Sequence, residues 1–165
     1  IGTHARDKDA IVSSLLIAEM AAFYNSKVTS IYKELQKLYQ EFGYYLEGIK
    51  SVTLTGKDGI EKMANLMTEL RETVKDRTID KNIKIKRDFK TKKELIVATG
   101  EEKDILLPVE NVIQFVLEDD TYITARPSGT EPKIKFYFSV NAPTKEEVEK
   151  KLNETMEKFV ATLKL

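Results

Sequence analysis

The chain has 165 residues, of which 41% are hydrophobic, 33% are charged and none is cysteine, so it can bury a core but forms no disulfide or thiolate metal site. Its 27 basic residues balance its 27 acidic ones, which excludes an overall field that draws nucleic acid or an anionic membrane and confines any anion site to a local patch. No apolar run approaches the roughly 20 residues that span a bilayer, and no signal-peptide pattern is present, so we expect a globular, cytoplasmic protein.

The first part of the chain predicts two helices. In the stretch DKDAIVSSLLIAEMAAFYNSK apolar residues recur at helical spacing and give a wide apolar face, which predicts a mostly buried helix. These residues are Ile11, Val12, Leu15, Leu16, Ala18, Met20, Ala22 and Phe23. The stretch TSIYKELQKLYQEFG repeats the pattern, and Gly43 provides a left-handed stop. Because the sequence begins at Ile1 and enters a helix soon afterwards, we expect further chain upstream.

From Tyr44 the apolar period changes, which indicates a boundary. The stretch YYLEGIKSVTLTG predicts a strand, and a third helix that ends near Arg71 follows, with apolar positions Ile60, Met63, Met67 and Leu70. Four strands are then predicted at NIKIKRDF, NVIQFVLED, TYITA and KIKFYFSV, with ELIVATG as a weaker fifth. Asp119 and Asp120 predict a turn between the second and third of these strands.

The last helix is the clearest. Thr144 and Glu147 have the spacing of a capping box, and the inward positions are Val148, Leu152, Phe159 and Leu163. Residues 44–165 therefore predict an α+β fold of the βαβββα type, a two-layer sandwich of an antiparallel sheet and helices.

A possible anion site lies between the strands TYITA and KIKFYFSV. The stretch TARPSGTEPKIKFYFSV places an arginine, a serine, a glycine and a threonine within five positions. A guanidinium fork, two hydroxyls and a backbone without Cβ suit an anion with several oxygens, above all phosphate. The alternative is an ordinary turn, in which Arg126 is a solvated charge.

The segment RPSGTEPKIKFYF closely resembles the phosphate-binding loop in the last domain of the α-D-phosphohexomutases, the family of phosphoglucomutases and phosphomannomutases. The segments GTHARDKDAIVSSLLIAEMAAFY and YQEFGYYLEGIKSVTL also resemble that family, so the resemblance covers almost the whole chain. The family is four-domained. The resemblance implies that residues 1–43 are the helical end of an incomplete α/β domain, and that residues 44–165 are the TATA-binding-protein-like last domain.

The resemblance also implies an activity for the parent protein. Members are isomerases that exchange hexose 1-phosphate and hexose 6-phosphate through a phosphoserine, a magnesium ion and a glucose 1,6-bisphosphate intermediate. The Ser-His-Asn-Pro motif, the aspartate-rich magnesium loop and the sugar-recognition loop do not occur in these 165 residues. We therefore expect this chain to bind a sugar phosphate, to act together with upstream domains of its own parent, and not to catalyse alone.

The family pattern implies which residues surround the phosphate that is not transferred. They are Arg126, Ser128, Gly129 and Thr130, with Lys135 as a supporting basic residue. Lys135 lies on the strand face opposite Phe136, and an equally good interpretation is a solvated lysine.

A second group of candidates lies near the amino terminus, in THARDKDA. His4 and Lys8 match family positions near the sugar ring, where a basic group assists proton transfer or neutralises phosphate charge. The alternative for His4 is an exposed terminal residue. Asp7 and Asp9 are interpreted as first-turn helix residues that the helix dipole favours, and not as metal ligands.

Two other classes of protein stay open. The run at residues 81–93 holds Lys81, Lys84, Lys86, Arg87, Lys90, Lys92 and Lys93, which fits a nucleic-acid-binding module on a strand edge. The zero net charge and the single aromatic residue of the run argue against it. The third class is an interface domain whose loop has lost its ligand. Glucose, mannose or pentose preference, mutase or bisphosphate-synthase role, and oligomeric state also stay open.

Overall fold

The computed structural model describes residues 8–56, 58–72 and 83–163. Contacts divide the chain into two compact units, Ile1–Gly43 and Tyr44–Leu165, called unit 1 and unit 2 below. In the described part of the chain, no helix is long and apolar enough to cross a membrane.

Unit 1 contains two capped helices, α1 (Ala10–Ser26) and α2 (Ile31–Phe42). The Asp9 carboxylate accepts a hydrogen bond from the amide of Val12, and the Ser30 hydroxyl oxygen accepts one from the amide of Lys33. Gly43 ends α2 with φ 86°, as predicted, and its N–H donates to the carbonyl of Tyr39.

The prediction that α1 is mostly buried is wrong. None of its residues is buried, and the side chains of Ile11 and Leu15 are 84% and 67% exposed. In unit 1, α1 packs against α2, and one short amphipathic helix has too little apolar surface to cover a helix that is apolar on most sides.

Unit 2 is a sheet covered by helices. In chain order its elements are β1 (Tyr44–Thr53), α3 (Gly59–Glu72), β2 (Ile83–Asp88), β3 (Lys93–Ile96), β4 (Glu101–Asp104), β5 (Ile113–Leu117), β6 (Tyr122–Pro127), β7 (Lys133–Ala142) and α4 (Lys145–Ala161). The strands form one antiparallel sheet in the order β1-β7-β6-β5-β2-β3-β4. This architecture confirms the predicted α+β class.

One strand, β4, was not predicted. Its sequence Glu-Glu-Lys-Asp has no apolar residue and all four positions are exposed, so no alternation marks it. It forms because it pairs with β3 at the end of the sheet. The turn predicted at Asp119 and Asp120 is confirmed, and Asp120 has φ 58° there.

The core lies between the helices and one face of the sheet. Along β7 the buried residues alternate, at Ile134, Phe136, Phe138 and Val140. The ring of Phe159 on α4 meets Phe136 and Phe138 edge to face, with centroids 5.2 Å and 5.7 Å away. The predicted inward residues of α4 are all buried, and the Thr144 hydroxyl oxygen caps the helix by accepting from the amide of Glu147. Ile60, predicted on the apolar face of α3, is instead exposed.

The start of α3 is fixed by close packing at Gly59. A Cβ at this position would overlap the carbonyl oxygen of Leu54 and lie 3.0 Å from the Cβ of Pro132. The amide of Leu54 donates to the carbonyl of Pro132 at 2.8 Å, so three segments meet here without room for a side chain. Pro132 closes the β6–β7 loop, and Gly59 therefore supports the position of that loop.

We expect Gly59→Ala to lower the free energy of unfolding by about 1 to 3 kcal/mol, the usual cost of overpacking. Urea unfolding followed by circular dichroism measures this change. Gly129→Ala is the matched control, because a Cβ there meets nothing within 4 Å. Equal stability of the two variants would contradict the packing described at Gly59.

Candidate functional site

The candidate loop joins β6 to β7 and is closed by its own hydrogen bonds. The amide of Ser128 donates to the carbonyl of Lys133 at 2.7 Å, and the amide of Lys133 donates to the carbonyl of Glu131 at 2.8 Å. Rigid strands lie on both sides, because β6 and β7 stay paired as far as Pro127 and Ile134. The loop is thus held where the paired strands β6 and β7 meet.

Within this loop, the Ser128 hydroxyl has a defined role. Its oxygen accepts from the amides of Thr130 and Glu131, each at 3.3 Å. A hydroxyl oxygen that accepts from two amides keeps its own hydrogen for a further acceptor. Ser128 therefore both shapes the loop and offers one O–H, whereas the Thr130 amide is already used.

Gly129 and Thr130 form the exposed tip of the loop. Open space surrounds the Cα of Gly129, and its N–H has no hydrogen-bond partner in the described ranges. Gly129 is not among the described glycines with positive φ, so its backbone conformation does not require glycine. The glycine leaves the N–H accessible to an oxygen from outside the chain.

Two like charges face each other beside the loop. Arg126 on β6 lies directly opposite Lys135 on β7, both are exposed, and neither has an ion-pair partner in the part of the chain that the structure describes. Like charges directly opposite each other on paired strands destabilise a sheet. An anion bound between them would remove this repulsion, so the pair has the charge that a local anion site needs.

The amino-terminal candidates belong to unit 1. Lys8 is exposed, and Asp9 caps α1 as described above. Asp9 was predicted in the first turn of the helix, and the structure places it at the N-cap, just before that turn. His4 and Asp7 lie outside the described residues.

The lysine-rich run does not form a strand-edge surface, which corrects the prediction of such a surface. β2 is an inner strand, paired with β3 on one side and β5 on the other. Several cations of the lysine-rich run have carboxylate partners. Lys84 pairs with Asp120 at 3.1 Å, Arg87 with Glu94 at 2.6 Å, and Lys93 with Asp104 at 2.8 Å. Lys81 lies outside the described residues. These partners neutralise much of the charge that a nucleic-acid backbone would need.

Lys86 is half-buried on the helix side of the sheet, where its ammonium donates to the carbonyl of Arg71 near the end of α3. Arg71 in turn pairs with the buried carboxylate of Asp88 at 3.3 Å. The pKa of the Lys86 ammonium lies below its ordinary value, chiefly because burial disfavours the charged form. The positive charge of Arg71 also lowers this pKa, and the negative charge of Asp88 only partly offsets the decrease. Lys86 therefore serves the fold, not a surface ligand.

This shift predicts a pH effect on stability. Because the pKa of Lys86 is lower in the folded chain, the unfolded chain binds more protons between the two pKa values, and the free energy of unfolding rises with pH there. The window ends near the ordinary lysine pKa of about 10.4. We expect Lys86→Met to reduce this rise in urea unfolding measured between about pH 8 and 10. Lys84→Met, at an exposed position, is the control; a wild-type slope in Lys86→Met would contradict the prediction.

No metal centre is evident in the ranges that the structure describes, since no group of three or more His, Cys, Asp or Glu residues there could hold an ion. The supports of the loop at Leu54, Gly59 and Pro132 were missed from the sequence. The only indication in the sequence is Gly59 at the start of a helix, and a glycine there does not show that Leu54 and Pro132 pack against it.

Comparison with known proteins finds relatives over most of the chain, although no protein-family model matches it. A phosphoglucomutase of Staphylococcus aureus (strain MRSA252) is 34% identical over 148 residues, which are 90% of this chain and 27% of the relative. A phosphoglucomutase of Staphylococcus haemolyticus is 32% identical over 143 residues, or 87% of this chain and 26% of the relative. The chain thus spans about a quarter of the length of these curated relatives.

A solved structure shares the fold. The open form of the exocytosis-sensitive phosphoprotein pp63/parafusin, a phosphoglucomutase from Paramecium, aligns with a TM-score of 0.52 at 18% identity. The alignment covers 94% of this chain and 28% of that protein.

Proposed function

The chain is related to the phosphoglucomutases of the α-D-phosphohexomutase family, and we propose that it is the part of such an isomerase that holds the phosphate not being transferred. The observation that carries the proposal is the pair Arg126 and Lys135, two exposed cations opposite each other at the base of a loop that presents donors. The parent enzyme would interconvert hexose 1-phosphate and hexose 6-phosphate, as a phosphoglucomutase or a phosphomannomutase.

Each loop residue has a role that its chemistry allows. Arg126 contacts two phosphate oxygens through its planar fork, and Lys135 adds a point charge from the neighbouring strand. The Ser128 hydroxyl donates the hydrogen that its two amide contacts leave available. The Gly129 N–H and the Thr130 hydroxyl complete the set at the exposed tip.

The transfer chemistry itself belongs elsewhere in the parent protein. In this proposal a phosphoserine, Mg²⁺ and the glucose 1,6-bisphosphate intermediate act on the upstream domains, and the described residues provide no cluster for the metal. Lys8, and His4 with it, would lie near the sugar ring and neutralise charge there. The loop contributes by orientation, because a grip on the remote phosphate positions the reacting end.

A test of turnover and binding separates this proposal from an independent enzyme. We expect the purified chain to show no conversion of glucose 1-phosphate, even with Mg²⁺ and glucose 1,6-bisphosphate, because it lacks the phosphorylated-serine motif. The same preparation should bind glucose 6-phosphate, weakly, in calorimetric titration. Measurable turnover, or preference for a short oligonucleotide over glucose 6-phosphate, would contradict the proposed role.

A further inference from the structure

The two edges of the sheet differ in how well they are protected against pairing with another chain. At one edge, β4 is short, and all of its residues are charged and exposed, which is a common defence of an edge strand. At the other edge, β1 runs for 10 residues without a proline, and its register with β7 has no bulge. In the described residues of unit 2, β1 pairs with no strand except β7. The edge formed by β1 is therefore long, regular and open.

The pairing of β1 with β7 shows which backbone groups of β1 point outwards. The amide of Leu54, the residue after β1, donates to the carbonyl of Pro132, the residue before β7. Hydrogen-bonded pairs alternate along antiparallel strands, so the even-numbered residues of β1 bond to β7. The N–H and C=O groups of the odd-numbered residues then point away from the sheet. These outward residues are Tyr45, Glu47, Ile49, Ser51 and Thr53.

The side chains of the outward residues lie on the sheet face opposite α4. The even-numbered positions face the helices, since Leu152 and Met156 of α4 lie next to Gly48. All outward residues are exposed, and the side chains of Tyr45 and Ile49 are 58% and 60% exposed. The open edge of β1 thus combines unpaired backbone groups with apolar side chains, the combination that pairs with another strand.

We propose that β1 pairs antiparallel with β1 of a second copy of this chain, around a twofold axis at Ile49. A second copy offers a strand of the same length with the same outward groups, and a chain of zero net charge does not repel its copy. Pairing centred on Ile49 joins all outward residues and gives about ten backbone hydrogen bonds. This inference is independent of the proposed function.

The side chains favour this register. Ile49 lies opposite its own copy, which gives an apolar pair at the axis. Glu47 lies opposite Ser51 of the copy, whose hydroxyl can donate to the carboxylate. Tyr45 lies opposite Thr53 of the copy, and aromatic side chains pair well with β-branched ones. Every outward residue therefore meets a compatible side chain.

Neighbouring registers are less favourable. An axis at Lys50 or at Glu47 would set like charges opposite each other, which destabilises a sheet. An axis at Gly48 would leave Thr53 outside the paired region. The charges and the length of β1 thus select the axis at Ile49.

The helices fit this arrangement. α4 packs on both β1 and β7. Since neighbouring strands lie about 4.8 Å apart, two helices over symmetry-related β1–β7 pairs would be separated by about 10 Å. Packed helices lie about 8 to 10 Å apart, so α4 and its copy can lie side by side.

The test measures the mass of the whole chain in solution by sedimentation velocity over a range of concentrations. We expect wild type to form a dimer that dissociates on dilution, and Ile49→Lys to stay a monomer, because two lysines would meet at the axis. Leu106→Lys is the matched control and should dimerise as wild type does, since Leu106 is 93% exposed but lies outside β1. A wild type that is a monomer at every concentration would overturn the inference and leave the edge to a strand of another protein. A dimer that Ile49→Lys leaves intact would also overturn it.

A second measurement tests the register. The chain has no cysteine, so a single introduced cysteine can form a disulfide only with its own copy. At Ile49 the two Cα atoms would lie about 5.5 Å apart, within the range that a disulfide spans, so Ile49→Cys should give a disulfide-linked dimer on oxidation. The two copies of Glu47 would lie roughly 13 Å apart along the strands, so Glu47→Cys should not. Equal cross-linking of the two variants would overturn the proposed pairing.

Discussion

Replacing Arg126 with alanine is expected to weaken the binding of glucose 6-phosphate roughly 10- to 100-fold. A hydrogen bond to a charged group contributes about 1.5 to 3 kcal/mol, and Arg126 can make two such bonds to one phosphate. The change also removes one of two like charges that face each other, so the folded chain should not become less stable. In this variant the affinity for glucose 6-phosphate should therefore fall while the free energy of unfolding does not.

The matched control for Arg126→Ala is Lys84→Ala. Lys84 is an exposed cation of the same sheet whose ammonium pairs with Asp120, and it lies in the lysine-rich run. We expect glucose 6-phosphate affinity to stay within about twofold of wild type, since a surface ion pair contributes little. An oligonucleotide affinity that falls in Lys84→Ala and not in Arg126→Ala would support the nucleic-acid alternative instead.

Phe159→Ala is expected to lower the free energy of unfolding of unit 2 by about 3 to 5 kcal/mol. Phe159 is 2% exposed and its ring contacts the rings of Phe136 and Phe138, so truncation leaves a cavity between α4 and β7. This loss is a large fraction of the roughly 5 to 15 kcal/mol that stabilises a typical protein. Urea unfolding followed by circular dichroism measures it.

Phe42→Ala is the control for this core variant. The Phe42 side chain is 63% exposed, so little buried contact is lost and the midpoint of the unit 2 transition should stay near that of wild type. Similar losses in Phe42→Ala and Phe159→Ala would contradict the assignment of the core to the space between α4 and the sheet.

The sequence predicted the core of unit 2 well because alternation and helical period report burial directly. The strand β7 and the C-terminal segment with α4 show this, because every residue predicted to point inward there is buried. The same reasoning is wrong for α1, whose wide apolar face predicts burial that unit 1 does not provide. An apolar pattern shows that a helix can be buried, but burial also requires another element that packs against its apolar face.

The candidate loop was predicted from residue types and family resemblance, but its geometry was not. The sequence does not show that Ser128 accepts from two amides, nor that Arg126 lies opposite Lys135. Both depend on strand register, which is set by the pairing of β6 with β7. The ion-pair partners of the lysine-rich run, such as Glu94 and Asp104, could not be predicted either, because these pairs join neighbouring strands and depend on strand register.

We propose that the loop at residues 126–130 binds the phosphate of a sugar phosphate. The most direct test is an amide chemical-shift titration of the whole chain with glucose 6-phosphate. We predict that the largest changes occur at residues 126–130 and at Lys135, and that they are lost in Arg126→Ala. Largest changes within residues 83–93, or unchanged affinity in Arg126→Ala, would contradict the claim.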